Sequence, residues 1–169
     1  MAPWQHTDDG GLGTVATFDL DYAANWIGGD SAIWNIDDSI NWSVQPSMAD
    51  RLRVAPFFRD YVELQFTQNA SIPAALHVMF TDLRLTSSAN SDLAINGALQ
   101  VASPAHWGVA ELHVATGGLL GLYGPVIVGG EEGIGSLAVM NNSRIRTLAT
   151  LGMGAGSCLV LWPPLDATT

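Results

Sequence analysis

The feature that most constrains this chain is an alternation of apolar and polar residues with a period of two, which runs with interruptions from Arg53 onward. Successive side chains of a β-strand point to opposite faces, so such an alternation buries one face of a strand and leaves the other to solvent. Val62, Leu64 and Phe66 alternate with Glu63 and Gln65. Leu76, Val78 and Phe80 repeat the pattern, and Leu83 and Leu85 continue it one residue out of step, which a bulge near Thr81 and Asp82 would accommodate. Shorter alternations follow at Leu93 and Ile95, at Leu99 and Val101, and at Ala110, Leu112 and Val114 against Glu111 and His113. Residues 125–128, 136–140, 144–151 and 158–162 supply four more strands, the last nearly all apolar and so expected to be buried on both faces. Gly, Pro, Asn and Ser clusters punctuate these runs, and Gly129 to Gly135 and Gly152 to Gly156 are expected as turns. About eight strands at this spacing predict an all-β fold, an antiparallel β-sandwich or barrel of jelly-roll type. Its expected core is Val62, Leu64, Phe66, Leu76, Val78, Phe80, Leu112, Val114, Leu159 and Leu161. No internal repeat is evident.

The first fifty residues depart from this pattern. Residues 14–22 alternate as a strand would, residues 31–42 suit a strand or irregular structure, and residues 1–13 read as an arm. Asp8, Asp9, Asp19, Asp21, Asp30, Asp37, Asp38 and Asp50 give this part a charge of −8, because no Arg precedes Arg51. The remainder carries −2 of the total −10. The 169 residues therefore divide into an acidic N-terminal segment, 1–50, and a single β-sandwich body, 51–169.

The charge has the wrong sign for a phosphate-binding surface, which argues against a direct nucleic-acid partner. There is no Lys, which excludes a P-loop lysine and a Schiff-base lysine. Cys158 is the lone cysteine and lacks any metal-ligand spacing around it. No apolar run approaches the ~18 residues of a membrane helix, and residues 1–13 hold no apolar segment of the signal-peptide kind. Gly133-Ile134-Gly135-Ser136-Leu137-Ala138 has the letters of a dinucleotide fingerprint, but no helix-length segment follows it and it reads as a turn. His6, His77, His106 and His113 make no zinc spacing, and no nucleophile elbow is present, so no catalytic residue, organic cofactor or metal is expected. The one candidate cation site is a weak Ca²⁺ loop near Asp19, Asp21 and Asp30.

Trp26, Trp34 and Trp42 recur at intervals of eight among Asp and Asn, where a broad amphipathic ring suits an interface better than a core. Arg51, Arg53 and Arg59 begin where the acidic segment ends, and Arg144 and Arg146 share one face of a late strand. The acidic segment is therefore expected to lie against this Arg-bearing surface, in the same chain or a neighbour, with the three Trp as apolar anchors. These eight residues are the candidate interface.

By strand count over 52–165, the chain resembles the single-β-sandwich, jelly-roll capsid or head-decoration subunits of bacterial or archaeal viruses. The resemblance implies a non-enzymatic structural subunit of a self-assembling particle, found in the virion and partnered by itself or by other capsid subunits. Outside that reading a cytoplasmic location is expected. The alternatives are a carbohydrate-binding β-sandwich that stacks sugars on Trp26, Trp34, Trp42 or Trp107, and a small β-fold enzyme.

Overall fold

The computed structural model describes residues 5–8, 14–17, 22–55, 61–102, 108–130, 133–140, 142–148 and 150–161. Two short strands, β1 (Gln5–Asp8) and β2 (Thr14–Thr17), pair antiparallel. The rest of the described chain winds as a parallel β-solenoid. Its elements in order are β3 (Ala23–Asn25), β4 (Ser31–Ile33), a 3-10 turn at Pro46–Met48, β5 (Arg51–Val54), β6 (Tyr61–Phe66), β7 (Ala70–Ile72), β8 (Ala75–Val78) and β9 (Asp82–Ile95). They continue with β10 (Leu99–Val101), β11 (Gly108–Leu122), β12 (Val126–Val128), β13 (Gly133–Val139), β14 (Arg144–Thr147), β15 (Leu151–Met153) and β16 (Cys158–Leu161).

Three walls make up the solenoid, the third shorter than the other two. The first stacks β3, β5, β8, β10, β12 and β15; the second stacks β4, β6, β9, β11, β13 and β16. Because β9 and β11 bend and continue, their far halves join β7 and β14 in a third wall, with Ala70 beside Leu93, Leu93 beside Leu120, and Leu120 beside Ile145. Every pairing in these walls is parallel. Strands of the first wall begin at 23, 51, 75, 99, 126 and 151, so each coil takes 24 to 28 residues and each strand meets the one a full turn later.

In-register stacking turns the alternation into ladders of like residues inside the tube. Leu52, Leu76, Leu99 and Val126 form one, and Val62, Leu83, Leu112 and Leu137 another; all are buried. Fully burying each such side chain contributes about 1.5 to 3 kcal/mol before entropy is charged against it. The corners need left-handed backbone. Phe80, Ala102, Gly129 and Gly156 have positive φ where the first wall turns into the second, and Asn90, Gly117 and Asn142 where the second turns into the third. At the latter corner each coil is hydrogen-bonded to the next: Asn69 Oδ1 accepts from the Asp92 N–H at 2.9 Å, and Asp92 Oδ1 from the Leu119 N–H at 2.7 Å.

The antiparallel sandwich or barrel, and with it the jelly roll, is thus corrected to a parallel solenoid. Alternation reports that one face is buried but not which way the neighbouring strand runs, and the Gly and Asn clusters are corners of a coil instead of hairpin turns. The overlooked repeat is one of structure, 24 to 28 residues long, carried by inward Leu and Val and not by identity. The slip between Val78 and Leu83 is one of these corners and no bulge; Phe80, at φ 59°, points out of it and is exposed. Of the Gly-rich stretches, Gly133 and Gly135 lie within β13 and Gly152 within β15, while Gly129 and Gly156 are corner residues. Position 135 takes Gly within a strand because a Cβ there would meet the Val101 carbonyl oxygen at 2.6 Å. The last strand is not buried on both faces either: Cys158 and Leu161 are exposed and Leu159 is half-buried.

The two described ends differ. At the first coil, residues 41–43 cross back over 25–27, with hydrogen bonds from the Ile27 N–H to the Asn41 carbonyl and from the Ser43 N–H to the Asn25 carbonyl, both 2.9 Å. That crossing brings Trp42 edge-on to Trp26 at 5.2 Å and Trp34 edge-on to Trp42 at 6.4 Å, with Trp34 also on Phe66 at 5.9 Å. The indoles plug the tube, and Trp42 is only 1% exposed. At the other end, Leu151, Met153 and Leu161 take the inward positions of Val126, Val128 and Val139 yet are 42%, 47% and 56% exposed.

Candidate functional site

The alternation that sends Leu83, Leu85, Leu112 and Val114 into the core sends Asp82, Arg84, Glu111 and His113 out on the second wall. Parallel register aligns them: Tyr61, Asp82, Glu111, Ser136 and Cys158 form one outward row, and Glu63, Arg84, His113 and Ala138 the next. Neighbouring strands are about 4.8 Å apart, so side chains in adjacent coils touch.

Asp82 is the hub. Its Oδ2 accepts from Arg84 Nε and pairs with Arg84 Nη2, each at 2.8 Å, and the guanidinium lies 4.6 Å from the centre of the Tyr61 ring. His113 stands between two carboxylates, with Nδ1 3.2 Å from Asp82 Oδ1 and Nε2 3.3 Å from Glu111 Oε2. The first of these is a contact without hydrogen-bond geometry, and Asp82 Oδ1 is shut off from solvent with no hydrogen bond of its own. Alongside, Glu63 Oε1 accepts from Thr86 Oγ1 at 2.7 Å, and further along the row Cys158 Sγ donates to Ser136 Oγ at 3.3 Å. Asp82, Glu111 and His113 each offer one donor atom within 4.8 Å of the others, which is a chelating arrangement.

Sequence spacing alone did not assemble this cluster. Glu111 and His113 are i, i+2 on a strand and so share a face, which is legible; Asp82 joins them only through the register of a coil repeat that the sequence does not advertise. His113, which belongs to no zinc spacing in the sequence, stands beside two carboxylates in the fold.

The structure separates the eight interface candidates. Trp26 and Trp42 are in the core and Trp34 packs partly buried against it. Arg51 and Arg53 lie half-buried on the first wall. Arg144 and Arg146 are both exposed on one face of β14. Arg59 is outside the described residues, as are Asp19 and Asp21 of the Ca²⁺ candidate and Trp107. Trp34 lines a surface groove of about 370 Å³ with Asn35, Phe66, Gln68, Asn69 and Ser71. Among the described residues no helix is long and apolar enough to cross a membrane. No protein-family model, curated protein or solved structure matches the chain.

Proposed function

We propose that this chain is a structural subunit that self-associates through the two ends of its solenoid. The observation that carries this reading is the last described coil, β14, β15 and β16, where Leu151, Met153 and Leu161 hold core positions yet are exposed and, among the described residues, no further strand pairs with β14, β15 or β16 on the far side. Apolar residues and unpaired strand edges of this kind are a template for another chain. Charge selects the occupant. The open coil carries Arg144 and Arg146 and no acid from 142 to 161, so two open coils repel. The Trp-sealed coil carries Asp30, Asp37, Asp38 and Asp50 with no base from 22 to 50, and exposes Ile27, Ile33, Ile40 and Met48. A second copy's sealed end against the open end supplies apolar cover with opposite charge, and such a head-to-tail contact is heterologous and builds linear or ring assemblies. Apolar burial carries the affinity, since exposed ion pairs are worth only about 0 to 1 kcal/mol each and mainly set orientation.

Light scattering of the full chain over a range of concentration and salt tests this. Concentration-dependent growth is expected, weakened by salt, abolished by the pair Leu151→Asp and Met153→Glu, and reduced by the pair Arg144→Glu and Arg146→Glu, with circular dichroism unchanged. Association that strengthens with salt marks tail-to-tail pairing and overturns the head-to-tail contact. A chain that stays monomeric overturns the assembly reading altogether. One observation favours a second reading, glycan binding: the groove places an aromatic ring among amides and a hydroxyl, the mix that stacks on a sugar and bonds its hydroxyls. A monomer that binds an oligosaccharide and loses it on Trp34→Ala decides for that reading.

A further inference from the structure

The outer face of the second wall is independent of the solenoid ends, and its chemistry is of a different kind. We infer that Asp82, Glu111 and His113 form a binding site for a first-row divalent cation, with Zn²⁺ as the probe.

Three observations carry this. The donor set comes first: one imidazole and two carboxylates from two adjacent parallel strands converge, with a donor atom from each within 4.8 Å of the others. Imidazole suits Zn²⁺ and its neighbours, whereas Ca²⁺ and Mg²⁺ take oxygen alone and in larger number.

Geometry is the second. Metal bonds to nitrogen and carboxylate oxygen are about 2.0 to 2.2 Å. Asp82 Oδ1 and His113 Nδ1, 3.2 Å apart, would then subtend about 100° at an ion between them, between the octahedral and tetrahedral angles. Glu111 closes the set from the solvent side; its carboxylate already flanks the same ring at 3.3 Å, and at 44% exposure it has room to turn.

The third is Asp82 Oδ1 itself. An anionic oxygen with no solvent exposure and no hydrogen bond is costly to keep, and here it faces an imidazole nitrogen that does not direct an N–H at it. A cation taking both lone pairs removes that cost. Arg84, clamped on Asp82 Oδ2 by two 2.8 Å contacts, holds the carboxylate in the orientation that aims Oδ1 at His113. This is how outer partners orient ligands at metal sites, although the nearby positive charge also lowers affinity. Water fills the remaining positions, as the outward face of the wall allows.

Calorimetric titration of the full chain with ZnCl₂, and separately with CaCl₂ and MgCl₂, tests the site. One saturable Zn²⁺ site per chain is expected, with Ca²⁺ and Mg²⁺ failing to compete. His113→Gln and Glu111→Gln should each raise the Kd by at least tenfold while circular dichroism stays unchanged; both residues are on the surface, so the fold survives the change. Cys158→Ser should bind as the parent does. Absence of saturable binding, binding unaltered in both ligand variants, or loss of binding in Cys158→Ser would each overturn the assignment.

Discussion

Asp38 shows how one carboxylate organises the sealed end. Its Oδ1 accepts the N–H groups of Ile40 at 2.8 Å and Asn41 at 3.1 Å, and its Oδ2 accepts from Asn41 Nδ2 at 2.8 Å. These bonds set the turn that delivers Trp42 into the mouth of the tube. Burial pushes the Asp38 carboxyl up, but the side-chain bond from Asn41 and the two N–H bonds outweigh it and hold the group below the ordinary carboxylate value. A carboxylate depressed on folding stabilises the native state above its unfolded pKa of about 3.9 and loses that contribution as pH falls through the lower folded value. Acid titration followed by tryptophan fluorescence should therefore show the sealed end loosening below about pH 4. Asp38→Asn should be weaker at neutral pH, with a shallower acid transition. If parent and variant lose stability in parallel, Asp38 has no part in the closure.

Among the elements, a strand's contribution depends on where its coil lies in the stack. Leu112 of β11 is buried between Leu83 and Leu137, whereas Leu159 of β16 is half-buried in the open coil. Leu112→Ala removes three carbons from a filled ladder and should cost about 2 to 5 kcal/mol, while Leu159→Ala should cost about 1 kcal/mol or less. Urea unfolding of the two variants checks the difference, and equal losses would mean that the ladder does not pack as a continuous core. The strands themselves were legible because alternation is a local signal: Tyr61–Phe66 falls within a residue of the stretch read from Val62, Leu64 and Phe66. Strand direction was not legible. Parallel strands buried on both faces read as continuous apolar runs, whereas here they are buried on the inside only and imitate antiparallel ones. For the same reason Glu111 and His113 could be placed on one face, while Asp82, 29 residues before Glu111, could not be joined to them without the coil repeat. The spacing of Trp26, Trp34 and Trp42 among polar residues looked like a surface because the chain folds that polar loop over the end of the tube, with the rings turned inward.

At the scale of the whole molecule, the described strands of each coil pair with those of the coils before and after it, so stability is close to a sum over neighbours and fails first where pairing is one-sided. Amide exchange should be slowest in β8 to β11 and fastest in β14 to β16, with the Trp-sealed coil better protected than the open one. Equal protection at the two ends would show that the indole plug adds nothing. The unequal ends also bear on how the stack grows. A coil gains its backbone partners only once a neighbouring coil has formed an edge, so the first closed turn is a costly nucleus and every later one is cheap growth upon it. Growth toward the first coil meets the indole plug, which leaves the edge of the last described coil as the open front. That front makes no distinction between its own next strand and a foreign one of matching pattern, so the property that lets each coil add quickly also leaves the last coil receptive to capture by another chain.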